Sequence, residues 1–97
     1  MDFMIRVLIE RRLAAGQQAA LNAKLIDLRR GAMHTEGYVS GETLRDTGDP
    51  TRYVVLSTWT SRVHWERWYA SDARRERDAD LLPLLAEPET ITILEHI

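Results

Sequence analysis

Apolar positions alternate from the start of the chain. Phe3, Ile5, Val7 and Ile9 fall on one side of a period of two, and Met4, Arg6, Leu8 and Glu10 on the other. Such a period, rich in β-branched residues, predicts a strand with one strongly apolar face, closed by Arg11 and Arg12. Ala14-Ala15-Gly16 then turns the chain. From 17 to about 33, Leu21, Leu25 and Leu28 recur at helical spacing with Ile26 widening the stripe, while Asn22, Lys24, Asp27 and Arg29 take much of the other side. This predicts an amphipathic helix, with Gly31 and Gly37 bracketing its exit. Residues 38–45 and 52–60 read as two further strands. The run of turn formers Asp46-Thr-Gly-Asp-Pro50 joins them into an antiparallel hairpin. Ser61 is a natural N-cap for a short helix carrying Val63, Trp65 and Trp68, and Ser71-Asp72 caps a second segment through about Asp80, with Pro83 near its end. After the break at Glu87-Pro88-Glu89, residues 90–97 return as a strand. Ile91, Ile93 and Glu95 alternate there with Thr92, Leu94 and His96.

The order is therefore β-α-β-β-α-β with the second helix in two pieces. That is the split-βαβ, ferredoxin-like pattern of an α+β fold: a four-stranded antiparallel sheet with helices on one face. The other face stays apolar, because Met4 and Leu8 alternate with the main row and the third strand sets Val54 and Leu56 against Tyr53, Val55 and Trp59. An uncovered apolar sheet face is a liability in a monomer, so a homodimer packed sheet against sheet is expected.

Length and charge narrow the function classes. At 97 residues, residues 1–97 form a single domain, long enough to bury about 65% of the unfolded chain's surface. Thirteen Lys+Arg against fifteen Asp+Glu give a net charge of −2, which offers no electrostatic case for nucleic acid or an anionic membrane. Asp2 and Arg6 interrupt the apolar run of residues 2–9, which is too short for a membrane span and wrongly built for a signal peptide, so a cytoplasmic setting is expected. No cysteine is present, which excludes a disulfide framework, a thiol nucleophile, an iron–sulfur cluster or a thiolate zinc site. His34, His64 and His96 lie on separate elements, so no metal site is expected. No phosphate loop or glycine-rich dinucleotide fingerprint is found, and no nucleophile-elbow motif supports a Ser/His/Asp triad.

Three stretches together carry a family resemblance: Gly37-Tyr-Val-Ser-Gly-Glu-Thr-Leu44, Tyr53-Val-Val-Leu-Ser-Thr-Trp59-Thr-Ser61 and Trp65-Glu-Arg-Trp68-Tyr-Ala-Ser71. They resemble the antibiotic biosynthesis monooxygenase (ABM) family, whose members form dimeric α+β barrels. The resemblance covers nearly the whole chain, and the Trp59-to-Trp68 spacing with the trailing Ser71 is its most specific part. Some members oxygenate polycyclic phenols without metal or flavin, and others degrade haem. The haem-degrading branch uses an Asn late in the first strand, a Trp in the second helix and a His ten residues beyond it. Here Trp68 occupies the Trp position, but Ile9 stands at the Asn position and Asp78 at the His position. A carboxylate is a poor axial ligand beside imidazole, and an Arg74–Asp78 pair at i,i+4 stands where an apolar haem wall is expected. Haem degradation is disfavoured.

The resemblance implies a cofactor-independent monooxygenase acting on a small aromatic, phenolic or quinol-type substrate between helices and sheet. The alternative is a non-catalytic dimeric module that holds a small hydrophobic or aromatic ligand. For the enzyme, His64 is the candidate base and Trp68 the candidate wall and N–H donor, against the ordinary alternatives of a core-edge histidine and a core indole. Arg74 and Asp78 are candidates to line the same cavity, Arg74 as anion stabiliser; the competing expectation is a solvated helix face, since residues 72–80 are mostly charged. Tyr38 and Tyr53 on the hairpin offer hydroxyls to a substrate oxygen, Trp59 is a further substrate-contact candidate, and Trp65 reads as core.

Overall fold

The computed structural model describes residues 3–97, so Asp2 lies outside the described residues. Strands β1 (Ile5–Arg12), β2 (Tyr38–Arg45), β3 (Arg52–Trp59) and β4 (Thr90–Glu95) form one sheet in the order β2-β3-β1-β4. Every neighbouring pair is antiparallel. Helices α1 (Gln18–Met33), α2 (Arg62–Tyr69) and α3 (Asp72–Leu81) follow the expected order, and a 3-10 turn at Leu82–Leu84 leads toward β4. The α+β, ferredoxin-like architecture is the expected one.

Local chemistry sets the boundaries. Ser61 caps α2 by accepting the His64 backbone N–H at 3.2 Å, and Ser71 caps α3 by accepting that of Arg74 at 3.2 Å. In the hairpin turn, Asp46 Oδ1 accepts from Gly48 N and Asp49 Oδ1 from Thr51 N, local bonds that replace the ladder where the chain reverses.

The inner face of the sheet presents Ile5, Val7 and Ile9 from β1 and Tyr53 and Trp59 from β3. It packs on Leu21, Leu25 and Leu28 of α1, Trp65 and Trp68 of α2 and Leu81 of α3. Burying this set is the main stabilising term, and the small core leaves each large indole with a disproportionate share. Three residues of the apolar pattern stand outside it. Phe3 precedes β1 and is 65% exposed, and Ile26 and Val63 are exposed on the outer sides of α1 and α2. Each sits at a stripe's edge or end, where the periodicity of one element does not show how far its neighbours reach.

On the outer face Leu8 lies opposite Leu56, with Val54 paired to Leu44 and Arg6 to Leu94. Leu44 and Leu94 are exposed. One irregularity interrupts the ladders: Tyr38 pairs with Trp59 but Ser40 with Thr58, so Val39 is an extra residue in a β-bulge.

Candidate functional site

A cavity of about 50 Å³ lies between the inner sheet face and helices α1 and α2. Trp59, Trp65, Trp68 and Tyr38 supply its aromatic walls and Leu25 and Leu28 its aliphatic one. The rings pack edge to face. Tyr38 and Trp59 stand 5.5 Å apart at 89°, and Trp59 and Trp65 5.6 Å apart at 69°. Trp59 Nε1 donates to Ser57 Oγ at 3.1 Å, which leaves the Ser57 hydroxyl proton free to donate in turn. Glycine makes room for the wall: a Cβ on Gly31 of α1 would stand 2.7 Å from Trp68 Cη2. A cavity of about 150 Å³ accepts a benzene-sized molecule, so this one holds a water or a dioxygen as it stands and must widen for a ring.

Behind the aromatic walls sits a group of four charges drawn from three places in the chain, two buried guanidiniums and two partly buried carboxylates. Arg11, the seventh residue of β1, is 3% exposed and lines the cavity. Its Nε donates to Glu89 Oε2 at 2.8 Å. Glu89 Oε1 accepts from Arg74 Nη2 at 2.9 Å, and Arg74 Nε lies 3.3 Å from Asp78 Oδ2. Arg74 is 1% exposed, and its guanidinium carbon stands 5.5 Å from the Trp65 ring centre and 5.0 Å from that of Tyr69. The charges balance, but the hydrogen bonds do not. Among the described residues, Arg11 Nη2 and Asp78 Oδ1 are buried without a hydrogen-bond partner, and the Arg74 Nε contact lacks hydrogen-bond geometry. Burial holds the Arg11 guanidinium below its ordinary pKa, opposed by Glu89. It pushes the Asp78 carboxyl up, opposed by Arg74.

The expected residues divide among these surroundings. Tyr38, Trp59, Trp68 and Arg74 all border the cavity. Asp78 does not border it and reaches it only through Arg74. A solvated face for the whole 72–80 segment is incorrect, because α3 turns Arg74 inward against two aromatic rings. The Tyr53 hydroxyl points to Asn22 of α1, 3.4 Å away, rather than to the cavity. His64 also stands outside it. Its Nδ1 lies 2.6 Å from Ser61 Oγ and 3.2 Å from Thr60 Oγ1, its Nε2 lies 3.8 Å from Glu36, and its ring packs over Gly37. Gly37 has φ +92°, and a Cβ there would collide with the His64 side chain, so this corner is shaped around the histidine.

Arg11, Glu89 and Ser57 were not expected at the site. An Arg-Arg pair closing an apolar run and a Glu-Pro-Glu break both look like surface features. The one available signal was the parity of β1, which places Arg11 on the same side as Ile5, Val7 and Ile9. Among the described residues, no group of three or more His, Asp or Glu side chains is placed to hold a metal ion, and no helix is long and apolar enough to cross a membrane.

Similar folds are found among solved structures. A conserved protein from Methanosarcina mazei Go1 superposes with a TM-score of 0.91 at 17% identity, over 98% of this chain and 94% of its own. SnoaB, a cofactor-independent oxygenase from Streptomyces nogalater, does so at 0.89 and 15% identity, over 100% and 95%. Rv0793 from Mycobacterium tuberculosis gives 0.87 and 18%, over 97% and 95%. At these identities the likeness is one of fold. No curated protein sequence matches the chain. The sequence model for antibiotic biosynthesis monooxygenase matches residues 4–77, which span β1 through most of α3, and the chain belongs to that family.

Proposed function

We propose that the protein is a cofactor-independent monooxygenase acting on a small phenolic or quinol-type arene. The observation that carries the reading is the cavity itself, with aromatic walls on one side and buried guanidinium groups on the other. Membership of the ABM family and the fold shared with SnoaB support it. An electron-rich phenolate passes an electron to dioxygen, and the two recombine at an activated ring carbon. Where that carbon begins as CH₂ it ends as C=O, one oxygen atom being retained and the other leaving with the two hydrogens as water. The chain has to supply a dry site, a flat surface for the ring and positive charge near the developing anion. Trp68 supplies the surface, and Arg74 the charge. His64, held by Ser61 and Thr60 outside the cavity, takes no direct part in this scheme.

Oxygen uptake with an anthrone-type substrate tests the proposal. Uptake is expected with the wild type, to fall several-fold in Trp68→Phe and to persist in His64→Ala. Absence of uptake by the wild type would remove the oxygenase reading, and loss in His64→Ala would restore that histidine as the base. The small cavity favours a second reading, a module that holds a hydrophobic ligand without transforming it; co-purified ligand without oxygen uptake would establish it.

The proposal includes a homodimer packed through the outer sheet face. The chain exposes 6199 Å² against roughly 5,700 Å² expected for its mass, and the Leu8–Leu56 and Leu44–Val54 pairs give that face an apolar strip. Light scattering at micromolar concentration should give twice the chain mass; a monomer mass would defeat this part.

A further inference from the structure

Arg11 is the least explained charge in the molecule. Nothing in the reaction scheme requires a second guanidinium beside Arg74, and burying one on a strand is costly. Its Nε is satisfied by Glu89, but its Nη2 is buried with no hydrogen-bond partner among the described residues, on a residue that is 3% exposed and lines the cavity. Arg74 differs. Its Nη2 is taken by Glu89, its Nε faces Asp78, and its flat surface lies against Trp65 and Tyr69. Both buried guanidiniums keep a buried nitrogen without a hydrogen bond among the described residues, Nε in Arg74 and Nη2 in Arg11, and of these two only the Arg11 nitrogen is a terminal N–H₂ group.

Of the other polar side chains on the cavity wall, those of Ser57, Tyr38, Thr43 and Arg29 can donate, and Glu42 is the one carboxylate on that wall among the described residues. Ser57 Oγ already accepts from Trp59 Nε1 and has its own proton to give, and the Tyr38 hydroxyl stands over Gly41 at the same wall. Glu89, which balances Arg11, does not line the cavity. A ligand entering here therefore meets mainly donors, with Glu42 the competing carboxylate, set among indole faces. A neutral ring would leave Arg11 Nη2 still unsatisfied; an oxyanion would satisfy it with a charge-assisted bond.

We propose that Arg11 is an anion-binding residue: its free Nη2 receives the carboxylate or phenolate oxygen of a small arene whose ring lies among Trp59, Trp65 and Trp68. The inference deepens the proposed function, resting on the same cavity, and it names the substrate class as arenes whose cavity-bound ring carries an oxyanion. The class follows from charge and size together. Widening from about 50 Å³ to the roughly 150 Å³ that one ring needs is the smallest change that admits any arene.

Calorimetric titration of the wild-type protein with benzoate and with its neutral isostere benzamide tests this without any variant. Benzoate should bind about ten-fold or more tightly than benzamide, the ordinary advantage of a hydrogen bond to a charged group. Equal binding of the two, or no binding of benzoate, overturns the inference. Arg11→Gln should abolish the preference, and a preference kept in that variant likewise overturns it. Should Arg11→Gln fail to fold, Glu89→Gln takes its place. Removing the competing carboxylate should tighten benzoate and leave benzamide unchanged, a gain that a purely structural Arg11 does not predict; unchanged benzoate affinity counts against the proposal. Benzoate lacks the electron-rich phenol, so its binding is independent of turnover. Benzoate binding without oxygen uptake from anthrone leaves this inference standing and removes the oxygenase, whereas uptake with no benzoate binding does the reverse.

Discussion

Arg11 and Arg12 are neighbours in β1, and each holds a carboxylate brought from far along the chain. Arg12 Nη1 lies 2.6 Å from Asp49 with side chains 41% and 38% exposed, while Arg11 Nε lies 2.8 Å from Glu89 with side chains 1% and 11% exposed. The contacts are alike in chemistry and length. Strand alternation sends one into water and the other beneath the helices. Water screens the Arg12 pair and would solvate either partner if the other were lost, so the contact contributes little. The Arg11 pair has no such substitute. It has already borne the cost of desolvation, and losing one partner leaves a bare charge inside. Equal ion pairs one residue apart thus differ in what they do: one trims a hairpin turn, and the other holds β1, α3 and the segment before β4 in one arrangement.

The widest separation should appear on removing the arginines. Arg11→Met is expected to cost about 3–5 kcal/mol in urea denaturation, with much of the loss returned in Arg11→Met/Glu89→Met, where neither charge is stranded. Arg12→Met should shift the midpoint far less; equal losses would break the comparison. A smaller effect concerns acid. Because burial raises the Asp78 carboxyl above its ordinary pKa of 3.8, the folded state takes its proton more readily than the unfolded state. That contribution is fully present below 3.8 and is lost as pH rises through the folded value, so Asp78→Asn should flatten the corresponding part of the stability-against-pH curve. Asp49 has the opposite sign. Thr51 and Arg12 hold its carboxyl down to about 2, so its contribution is present above 3.8 and is lost as pH falls toward 2. Asp49→Asn should remove that loss, the smallest of the three effects. Urea midpoints measured from pH 7 to pH 2 separate the two carboxylates, and a common sign for both would overturn the electrostatic distinction.

These two arginines also mark where the sequence was legible. Strands and helices followed from periodicity, and Ser61 and Ser71 began their helices as capping chemistry requires, because both signals act over a few residues. The aromatic wall was legible in part: Trp59 and Trp68 stood as cavity candidates, whereas Trp65 read as core and borders the cavity as well. The buried charges were not. Arg11 and Glu89 are 78 positions apart, and only the closed sheet shows that they meet. The charge density of residues 72–80 pointed outward for Arg74 because it describes the average residue of α3, whereas the packing of Trp65 and Tyr69 selects one of them. Nor could helical spacing alone tell that His64, one position from Trp65, faces a corner built by Gly37 instead of the cavity.

The extra residue in β2 has a consequence for how this cavity can change. Because Val39 is taken up as a bulge, Tyr38 stands across from Trp59 on the inner side; were the ladder regular through Val39, that residue would take the place opposite Trp59 and Tyr38 would fall opposite Thr60 and turn to the outer side. Everything from Ser40 onward would keep its partner. Moving the bulge past Tyr38 therefore exchanges an aromatic wall residue for an aliphatic one while the rest of the sheet keeps its register, a way of altering what the cavity admits that no point substitution offers.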